Sequence, residues 1–307
     1  MAGLWSIAAY FNPRGYRSRL LNYRAFRDHL QTPLLTVELS FGTAFELRPE
    51  QADILLQVRG ADVMWQKERL LNLALEHLPP ECDSVAWLDC DVLLMDPGWP
   101  SALRRALERR ALVQPFSIAR DQVGPDSRSV GPPAPSYAAC AGRGEPAPRA
   151  FAYSGGARPT RRLSAPGFAW AARRESIART GFYDACILGG GDRSMIEAAE
   201  GRIDDEVAAR MPSPPHASHY RAWARTFHDA MADGIGVVQG ELVHLWHGDF
   251  RNRQYRVRFE RFAEFDFDPR GDLAVGPEGC WRWASVKPEL HAYARRLFDL
   301  REEDGPA

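Results

Sequence analysis

The stretch that decides the fold runs from Val85 to Asp91, reads VAWLDCD, and is followed directly by the apolar residues 92–94. A short, nearly continuous apolar run is typical of a strand that is covered on both faces in an α/β sheet. Carboxylates at the end of such a strand are costly to bury without a partner, and ligands of open α/β sheets bind outside the carboxyl ends of the strands. Asp89 and Asp91 therefore suit a divalent metal that holds a phosphate. The pattern alone is equally consistent with two solvated turn residues, because Asp-x-Asp is short and common by chance.

The composition is that of an ordinary globular chain. It has 307 residues, of which 45% are hydrophobic and 26% charged, enough for one large or two small α/β domains. The net charge of −1 points to neither nucleic acid nor a membrane as partner. Five cysteines without a C-x-x-C pair argue against a structural zinc site or a disulfide framework and favour a cytoplasmic location. We expect no signal peptide and no transmembrane segment, since no run approaches the roughly 20 apolar residues that a span needs.

Strand and helix patterns alternate along the chain. Besides 85–91, strands are predicted over residues 4–10, 34–39, 54–58, 111–118, 167–172 and 237–246, and helices over 17–30, 63–78, 99–110, 175–180, 218–231 and 288–301. This alternation predicts an α/β fold of Rossmann type, with a mixed, mainly parallel central sheet flanked by helices. The loop after the first strand contains Asn12 and Arg14, which suit an anion or a nucleotide; the alternative is a plain connection between strand and helix.

A segment of different composition interrupts this pattern at residues 122–164. Proline, glycine, serine and arginine dominate it, so it lacks the apolar surface needed to fold independently. We expect a mobile insertion, which is either disordered or becomes ordered over a ligand. The main domain is placed at residues 1–255, and residues 256–307 form a C-terminal tail whose helix packs on that domain.

Other candidate functional residues follow the insertion. Three glycines lead into Asp192, which suits a helix N-cap as well as a catalytic role. His244 and His247 flank the end of a predicted strand, and two histidines with a carboxylate from another strand can bind a first-row divalent metal. Buried, hydrogen-bonded histidines are the alternative. His216 and His219 have no strand-end acid near them and are expected at the surface.

Four of these patterns, in this order, resemble the GT-A-fold glycosyltransferases, and most closely the β1,4-galactosyltransferase type. The helix around Arg69 contains the run RLLN and looks like the Ala-Lys-Leu-Leu-Asn helix of that family, and residues 89–91 match its Asp-x-Asp. Residues 189–192 are similar to its Gly-Gly-Glu-Asp segment, with Gly191 in place of the Glu. The pair His244 and His247 resembles its Met-x-x-His motif, with a histidine in place of Met. The resemblance covers the main domain but neither the insertion nor the tail.

The resemblance implies a metal site and a donor. Asp91, His244 and His247 would be direct metal ligands, and Asp89 would lie near the ribose or reach the metal through water. A carboxylate with two imidazoles suits Mn²⁺ better than Mg²⁺, although Mg²⁺ remains an option. The donor would be a nucleotide-sugar, by default a UDP-sugar, and the residues expected to bind it are Asn12, Arg14, Arg69, Asp89, Asp91, Gly190 and Gly191.

The resemblance also implies a reaction. Asp192 would act as the general base that takes the proton of an acceptor hydroxyl, and direct attack would invert the anomeric carbon. The acceptor could be a glycan, a lipid-linked sugar or a protein side chain. The substitution at Gly191 puts the acceptor contacts in doubt. The sequence leaves the oligomeric state and the donor sugar open.

Two other functions are compatible with the sequence. A nucleotidyltransferase also uses paired acids with a metal, but it needs a glycine-rich, basic loop after the first strand, and residues 12–15 are a poor version of one. A non-catalytic nucleotide- or sugar-binding protein on a decayed transferase scaffold would explain Gly191. Such a protein has no need for all of the acids and histidines that the chain retains.

Overall fold

The computed structural model describes residues 3–125, 127–145, 149–153, 159–255 and 257–305. The strands in these ranges are β1 Gly3–Phe11, β2 Leu34–Leu39, β3 Ile54–Val58, β4 Cys82–Leu88, β5 Val92–Leu94, β6 Leu112–Gln114, β7 Ile118–Asp121, β8 Ala134–Pro135, β9 Phe151–Tyr153, β10 Pro159–Arg162, β11 Ala169–Arg173, β12 Ile235–Val237, β13 Glu241–His244, β14 Leu273–Val275 and β15 Trp281–Trp283. The helices are α1 Arg17–His29, α2 Lys67–Glu76, α3 Trp99–Leu107, α4 Tyr137–Ala141, α5 Arg174–Thr180, α6 Gly191–Ala199, α7 Ile203–Arg210, α8 Pro214–Ala230, α9 Val257–Glu260, α10 Pro269–Asp272 and α11 Pro288–Asp299, with short 3₁₀ turns at Pro49–Gln51, Phe250–Arg253 and Arg261–Phe265.

The central sheet has seven strands in the order β12-β6-β11-β4-β1-β2-β3 within the described ranges. Every neighbouring pair is parallel except the two that β11 forms, with β4 and with β6. This confirms the predicted fold class, a mixed and mainly parallel α/β sheet flanked by helices. It also places the carboxyl end of β4, where the Asp-x-Asp begins, in the middle of the sheet.

Strand β4 lies between two apolar layers, as its sequence predicts. Val85 and Trp87 point into a core formed with α2, α6 and α8, whereas Ala86 and Leu88 point into a second core formed with α1 and α3. All four side chains are buried. The period of two along a strand that is covered on both faces explains why the run is continuously apolar.

A second sheet carries the histidines to the end of β4. Its order is β5-β13-β7-β8, with β13 antiparallel to β5 and parallel to β7. In this register His244 lies opposite both Val92 and Asp121. The turn between β4 and β5 thus brings Asp91 beside the end of β13.

Two strand predictions are wrong in their extent. The predicted strand 111–118 is two strands in different sheets, because Pro115 between them has no backbone N–H for a ladder hydrogen bond. The predicted strand 237–246 also divides, at Gly240, whose φ of +155° leads the chain from one sheet into the other. Hydrophobic patterning does not show such a change of sheet.

Helix α2 begins later than predicted. Residues 63–66 precede it, and Gln66 instead bonds the backbone of Trp281: its side-chain amide donates to the carbonyl at 2.9 Å and its side-chain carbonyl accepts from the amide at 3.0 Å. This contact joins the helix to the C-terminal hairpin of β14 and β15. Lys67 therefore lies in the first turn of α2.

The predicted insertion is packed in several places. Ser136 caps α4 by accepting from the amide of Ala139, and Tyr137 and Phe151 are buried. Residues 126, 146–148 and 154–158 lie outside the described residues, so the mobility of the segment stays a prediction. Composition alone underestimates how much of this segment packs.

The tail shares the main core. Leu290, Ala294 and Phe298 of α11 are buried in the same cluster as α2, and the Tyr16 hydroxyl donates to the carbonyl of Phe298. The boundary proposed at residue 255 remains a prediction. No helix in the described part of the chain is both long and apolar enough to cross a membrane.

The expectation of a surface position for His216 is wrong. Its ring is buried against Tyr183, Phe262 and Phe267, and neither ring nitrogen has a hydrogen-bond partner. Burial lowers the pKa of His216 to about 3. The ring therefore serves the core as a neutral aromatic group.

Candidate active site

Asp91, His244 and His247 converge at the carboxyl end of the central sheet. The His247 Nε2 lies 3.2 Å from the Asp91 Oδ2, and the His244 Nε2 lies 3.8 Å from the Asp91 Oδ1. One ligand atom from each residue falls within 4.8 Å of the others. The amide of Leu245 donates to the carbonyl of Asp91 at 2.7 Å, so the backbone fixes the approach of the two segments.

The donor set fits a divalent metal. The Asp91 Oδ1 is buried and has no hydrogen-bond partner among the described residues, a situation that a bound cation would remove. Burial, and then the nearby Arg253, lowers the pKa of His247 well below its usual value, so the imidazole is neutral and able to ligate at neutral pH. One carboxylate and two imidazoles are ligand types that divalent metals accept in proteins.

Asp121 orients the first histidine, and sequence reasoning missed it. The His244 Nδ1 lies 2.8 Å from the Asp121 Oδ1, and Arg162 donates to both oxygens of Asp121 at 2.8 Å. Burial acts to raise the pKa of Asp121, but the bonds from His244 and Arg162 outweigh it and hold the pKa far below its usual value. An ionised Asp121 accepts a hydrogen bond from the Nδ1–H of His244, which leaves the Nε2 of that ring available to ligate a metal.

Phe168 completes this side of the site. Its φ of +81° is unusual for a bulky residue, and its carbonyl accepts from the amide of Asp89 at 2.7 Å. Its ring centroid lies 4.4 Å from that of His244, and the Arg162 guanidinium lies 4.7 Å from its centroid. The strained backbone thus packs an apolar ring against His244.

Asp89 and Asp192 are bridged by Lys67, which sequence reasoning also missed. The Lys67 Nζ lies 2.6 Å from the Asp89 Oδ1 and 3.0 Å from the Asp192 Oδ2, and Lys67 is 8% exposed. Burial acts to lower the pKa of Lys67, but the two carboxylates raise it well above its usual value. Burial raises the pKa of Asp192, and Lys67 opposes that rise. The lysine therefore favours the ionised form of Asp192 against the effect of burial.

The glycine at position 191 has a physical reason. A Cβ there would lie 2.1 Å from the Glu68 Oε1, so only a residue without a side chain leaves room for that carboxyl group. Burial raises the pKa of Glu68 to about 8, against the opposing charge of Lys67. The space that a side chain at 191 would take is thus filled from α2.

Glu303 of the tail gathers three arginines beside His247, of which only Arg301 belongs to the tail. The buried carboxylate of Glu303 accepts from Arg19 at 2.5 Å, from Arg301 at 3.1 Å and from Arg253 at 3.3 Å. Arg253 also donates to the carbonyl of His247 at 2.6 Å. Three guanidinium groups share one carboxylate, which leaves positive charge beside the histidine. Sequence patterns gave no sign of this contribution.

A single cavity of about 740 Å³ joins these groups. Its described lining includes Asp89, Asp91, Asp192, His244 and His247. Nine arginines and one lysine line it against six carboxylates, so the lining favours an anionic ligand. Its size is that of a pocket for a nucleotide-sized molecule.

The structure does not bring every predicted donor-binding residue to this cavity. Gly190 lines it and Gly191 lies just behind, against Glu68. Asn12 bonds Tyr16 and Glu46, Arg14 pairs with Asp299, and Arg69 pairs with Asp184 at 3.2 Å. None of these last three belongs to the described lining.

Comparison with known proteins finds similarity at the level of structure only. No protein-family model matches the chain, and no curated protein matches its sequence. Among solved structures, glucosyl-3-phosphoglycerate synthase from Mycobacterium tuberculosis, solved with Mn²⁺, UDP and phosphoglyceric acid, is 16% identical with a TM-score of 0.40, over 79% of this chain and 70% of that chain. The catalytic domain of Drosophila β1,4-galactosyltransferase 7 is 12% identical with a TM-score of 0.32, over 66% of this chain and 61% of that one.

A third similar structure is that of a nucleotidyltransferase, the alternative enzyme class considered above. 4-Diphosphocytidyl-2C-methyl-D-erythritol synthase from Anaerococcus prevotii, a nucleotidyltransferase, is 11% identical with a TM-score of 0.32, over 78% of this chain and 87% of that chain. Scores of this size carry no functional argument in either direction. The functional argument depends on the site itself.

Proposed function

We propose that this protein is a metal-dependent glycosyltransferase that moves a sugar from a nucleotide-sugar, by default a UDP-sugar, to an acceptor hydroxyl. The observation that carries the proposal is the cluster of Asp91, His244 and His247, whose buried carboxylate oxygen has no partner in the described chain. The cluster opens into the same cavity as Asp192. A cytoplasmic location fits the five cysteines, all of which are free thiols.

The donor's diphosphate is proposed to lie between the cluster of Asp91, His244 and His247 and the arginines around Glu303. A divalent ion bound by Asp91, His244 and His247 would stabilise the negative charge that develops on the leaving nucleoside diphosphate. Arg19, Arg253 and Arg301 line the same part of the cavity and bring charge that Glu303 neutralises only in part. Guanidinium groups suit phosphate oxygens because they donate from two nitrogens at once.

Asp192 is proposed to take the proton of the attacking hydroxyl. Lys67, 3.0 Å away, favours the ionised form that a base requires, and general-base assistance of this kind contributes roughly 10²–10⁴ in rate. The hydroxyl oxygen forms the new bond to the anomeric carbon as the bond to the diphosphate breaks, and its proton passes to Asp192. Attack from the face opposite the leaving group inverts the anomeric configuration.

Release of nucleoside diphosphate from a panel of nucleotide-sugars with Mn²⁺, followed with the wild type and Asp192→Asn, tests this assignment. The variant should keep its affinity for the nucleotide and lose turnover by about 10²-fold or more. Equal turnover in the wild type and Asp192→Asn would show that Asp192 is not the base. An NMR spectrum of the product with the donor's own anomeric configuration would remove inversion.

The same assay on the wild type separates the rival functions. A nucleotide-binding protein without turnover could contain the same contact of Asp192 with Lys67 as a purely structural pair. In that protein no donor is consumed by the wild type, although nucleotide still binds. A nucleotidyltransferase would release pyrophosphate instead, but residues 12–15 lie outside the cavity lining, with Asn12 and Arg14 held by other partners.

A further inference from the structure

Arg258 is a buried cation at the cavity wall that lacks a counter-charge. It lies on α9 and is 7% exposed, and its Nε has no hydrogen-bond partner. Within the described residues its guanidinium forms no ion pair; it only faces the rings of Tyr255 and Phe259, at 5.3 and 5.0 Å. Burial, with Arg210 and Arg253 nearby, lowers the pKa of Arg258 to about 10. A buried charge is costly unless an anion accompanies it.

The guanidinium lies beside the first turn of α6. An NH2 nitrogen is 3.6 Å from the position that a Cβ of Gly190 would take, and Gly190, with a φ of +95°, is the N-cap of that nine-residue helix. The first amides of a helix have no partner within it, and its N-terminus favours negative charge. The Arg258 guanidinium thus lies beside Gly190, at the start of α6 and two residues before Asp192.

The neighbouring charges are already matched. Arg210 pairs with Glu206 at 2.6 Å, and Asp192 pairs with Lys67. The arginines that pair with Glu303 lie on the side of the cavity that holds Asp91, His244 and His247, because Arg253 donates to the carbonyl of His247. Arg193 and Arg202 pair with Glu197, whereas Arg258 has no ion pair among the described residues.

We propose that Arg258 and the N-terminus of α6 bind a phosphate group carried by the acceptor. This rests on the proposed function, since Asp192 is the group that meets the acceptor hydroxyl there. A phosphate ester suits the site because its three terminal oxygens can accept from a guanidinium fork and from helix amides together. The acceptor is then a phosphorylated hydroxyl compound, and its phosphate is held next to the base.

Calorimetric titration of glycerol 3-phosphate into the protein saturated with UDP and Mn²⁺ tests the proposal, with glycerol as the neutral match. The wild type should bind the phosphate ester and not glycerol. Arg258→Gln should weaken that binding by about ten-fold or more, and Arg258→Lys should restore part of it. Arg261→Gln, at an exposed arginine paired with Glu264, is the control and should leave it unchanged.

UDP and Mn²⁺ binding, measured on the same variants, separates the possible failures. The proposal predicts that Arg258→Gln keeps nucleotide affinity, which also shows that the variant is folded. Loss of nucleotide affinity, or competition between glycerol 3-phosphate and UDP, would assign Arg258 to the donor and overturn the inference. Nucleotide binding with no binding of the phosphate ester would overturn it and leave the proposed function intact. Failure of wild-type protein to bind any nucleotide would reject the proposed function.

Discussion

The two aspartates of the same Asp-x-Asp meet opposite surroundings. Asp89 is bonded to a cation that the chain supplies, the Lys67 ammonium at 2.6 Å. Asp91 has two imidazoles beside it and one buried oxygen that has no partner among the described residues. Two carboxylates one residue apart can therefore have different roles, one neutralised within the protein and the other left for a metal. The difference follows from which segment covers each: the first turn of α2 or the end of β13.

The largest expected effect comes from removing the built-in cation. Lys67→Met leaves the partly buried carboxylates of Asp89 and Asp192, 28% and 24% exposed, without a counter-charge, and breaking a buried pair costs up to about 3–5 kcal/mol. We expect a loss of that size in the free energy of unfolding, measured in denaturant. Lys287→Met is the matched control, because the only other lysine of the chain is itself 36% exposed and pairs with a single carboxylate, Asp272, which keeps a hydrogen bond from the amide of Asp268, so its loss should cost less than that of Lys67.

A Lys67→Met protein as stable as the wild type would mean that the two carboxylates do not depend on the lysine. The proposed difference between Asp89, neutralised by the chain, and Asp91, left for a metal, would then be wrong. Lys67→Arg keeps the charge, so its free energy of unfolding should lie between those of the wild type and Lys67→Met.

A smaller effect is expected from the residue that orients His244. Asp121→Asn should lower Mn²⁺ affinity by about 10–100-fold, because the amide no longer holds the Nδ1 proton as a carboxylate does. Titration of Mn²⁺ by calorimetry measures the change. Asp83→Asn, at a partly exposed carboxylate paired with Arg104, is the control. An unchanged affinity in Asp121→Asn would show that His244 is not a ligand.

A third effect concerns pH. The pKa of Glu68 is raised from 4.5 to about 8 by burial, so between these values the folded state binds a proton that the unfolded state releases. Its contribution to stability is full at low pH and is lost as pH rises through about 8. Glu68→Gln, which mimics the protonated acid, should remove this loss of at least about 1 kcal/mol between pH 5 and 8.

Unfolding in denaturant at the two pH values measures the loss. The same decline with pH in wild type and Glu68→Gln would show that Glu68 is ionised in the folded protein. In that case the close approach to Gly191 would need another explanation.

The sequence predicts local features of this molecule well and long-range ones poorly. The bounds of β2 and β3 agree with prediction, since each is a compact apolar run between turn residues. The histidine pair and Asp91, chosen from spacing and resemblance, are brought together by the structure. Neither the bounds of these strands nor the selection of Asp91, His244 and His247 required knowledge of which strands are neighbours.

The missed residues depend on contacts between distant segments. Asp121 reaches His244 only because β7 pairs with β13, and Glu303 reaches Arg19 across 284 residues of sequence. Lys67 looked like an ordinary polar residue at the start of a helix, and its partners come from two other segments. Single-sequence patterns hold no signal for such pairings, because each residue alone is an unremarkable surface type.

Thermal stabilisation by nucleoside diphosphates with Mn²⁺, Mg²⁺ or EDTA tests the central claim most directly. At about 100 times its Kd a ligand contributes roughly 2.7 kcal/mol, a visible shift in the melting temperature. We predict a shift with one nucleotide that requires Mn²⁺, is abolished in Asp91→Asn, and survives in weaker form in Asp89→Asn. No shift with any nucleotide, or equal loss in both variants, would contradict the claim that Asp91 and the two histidines form the metal site.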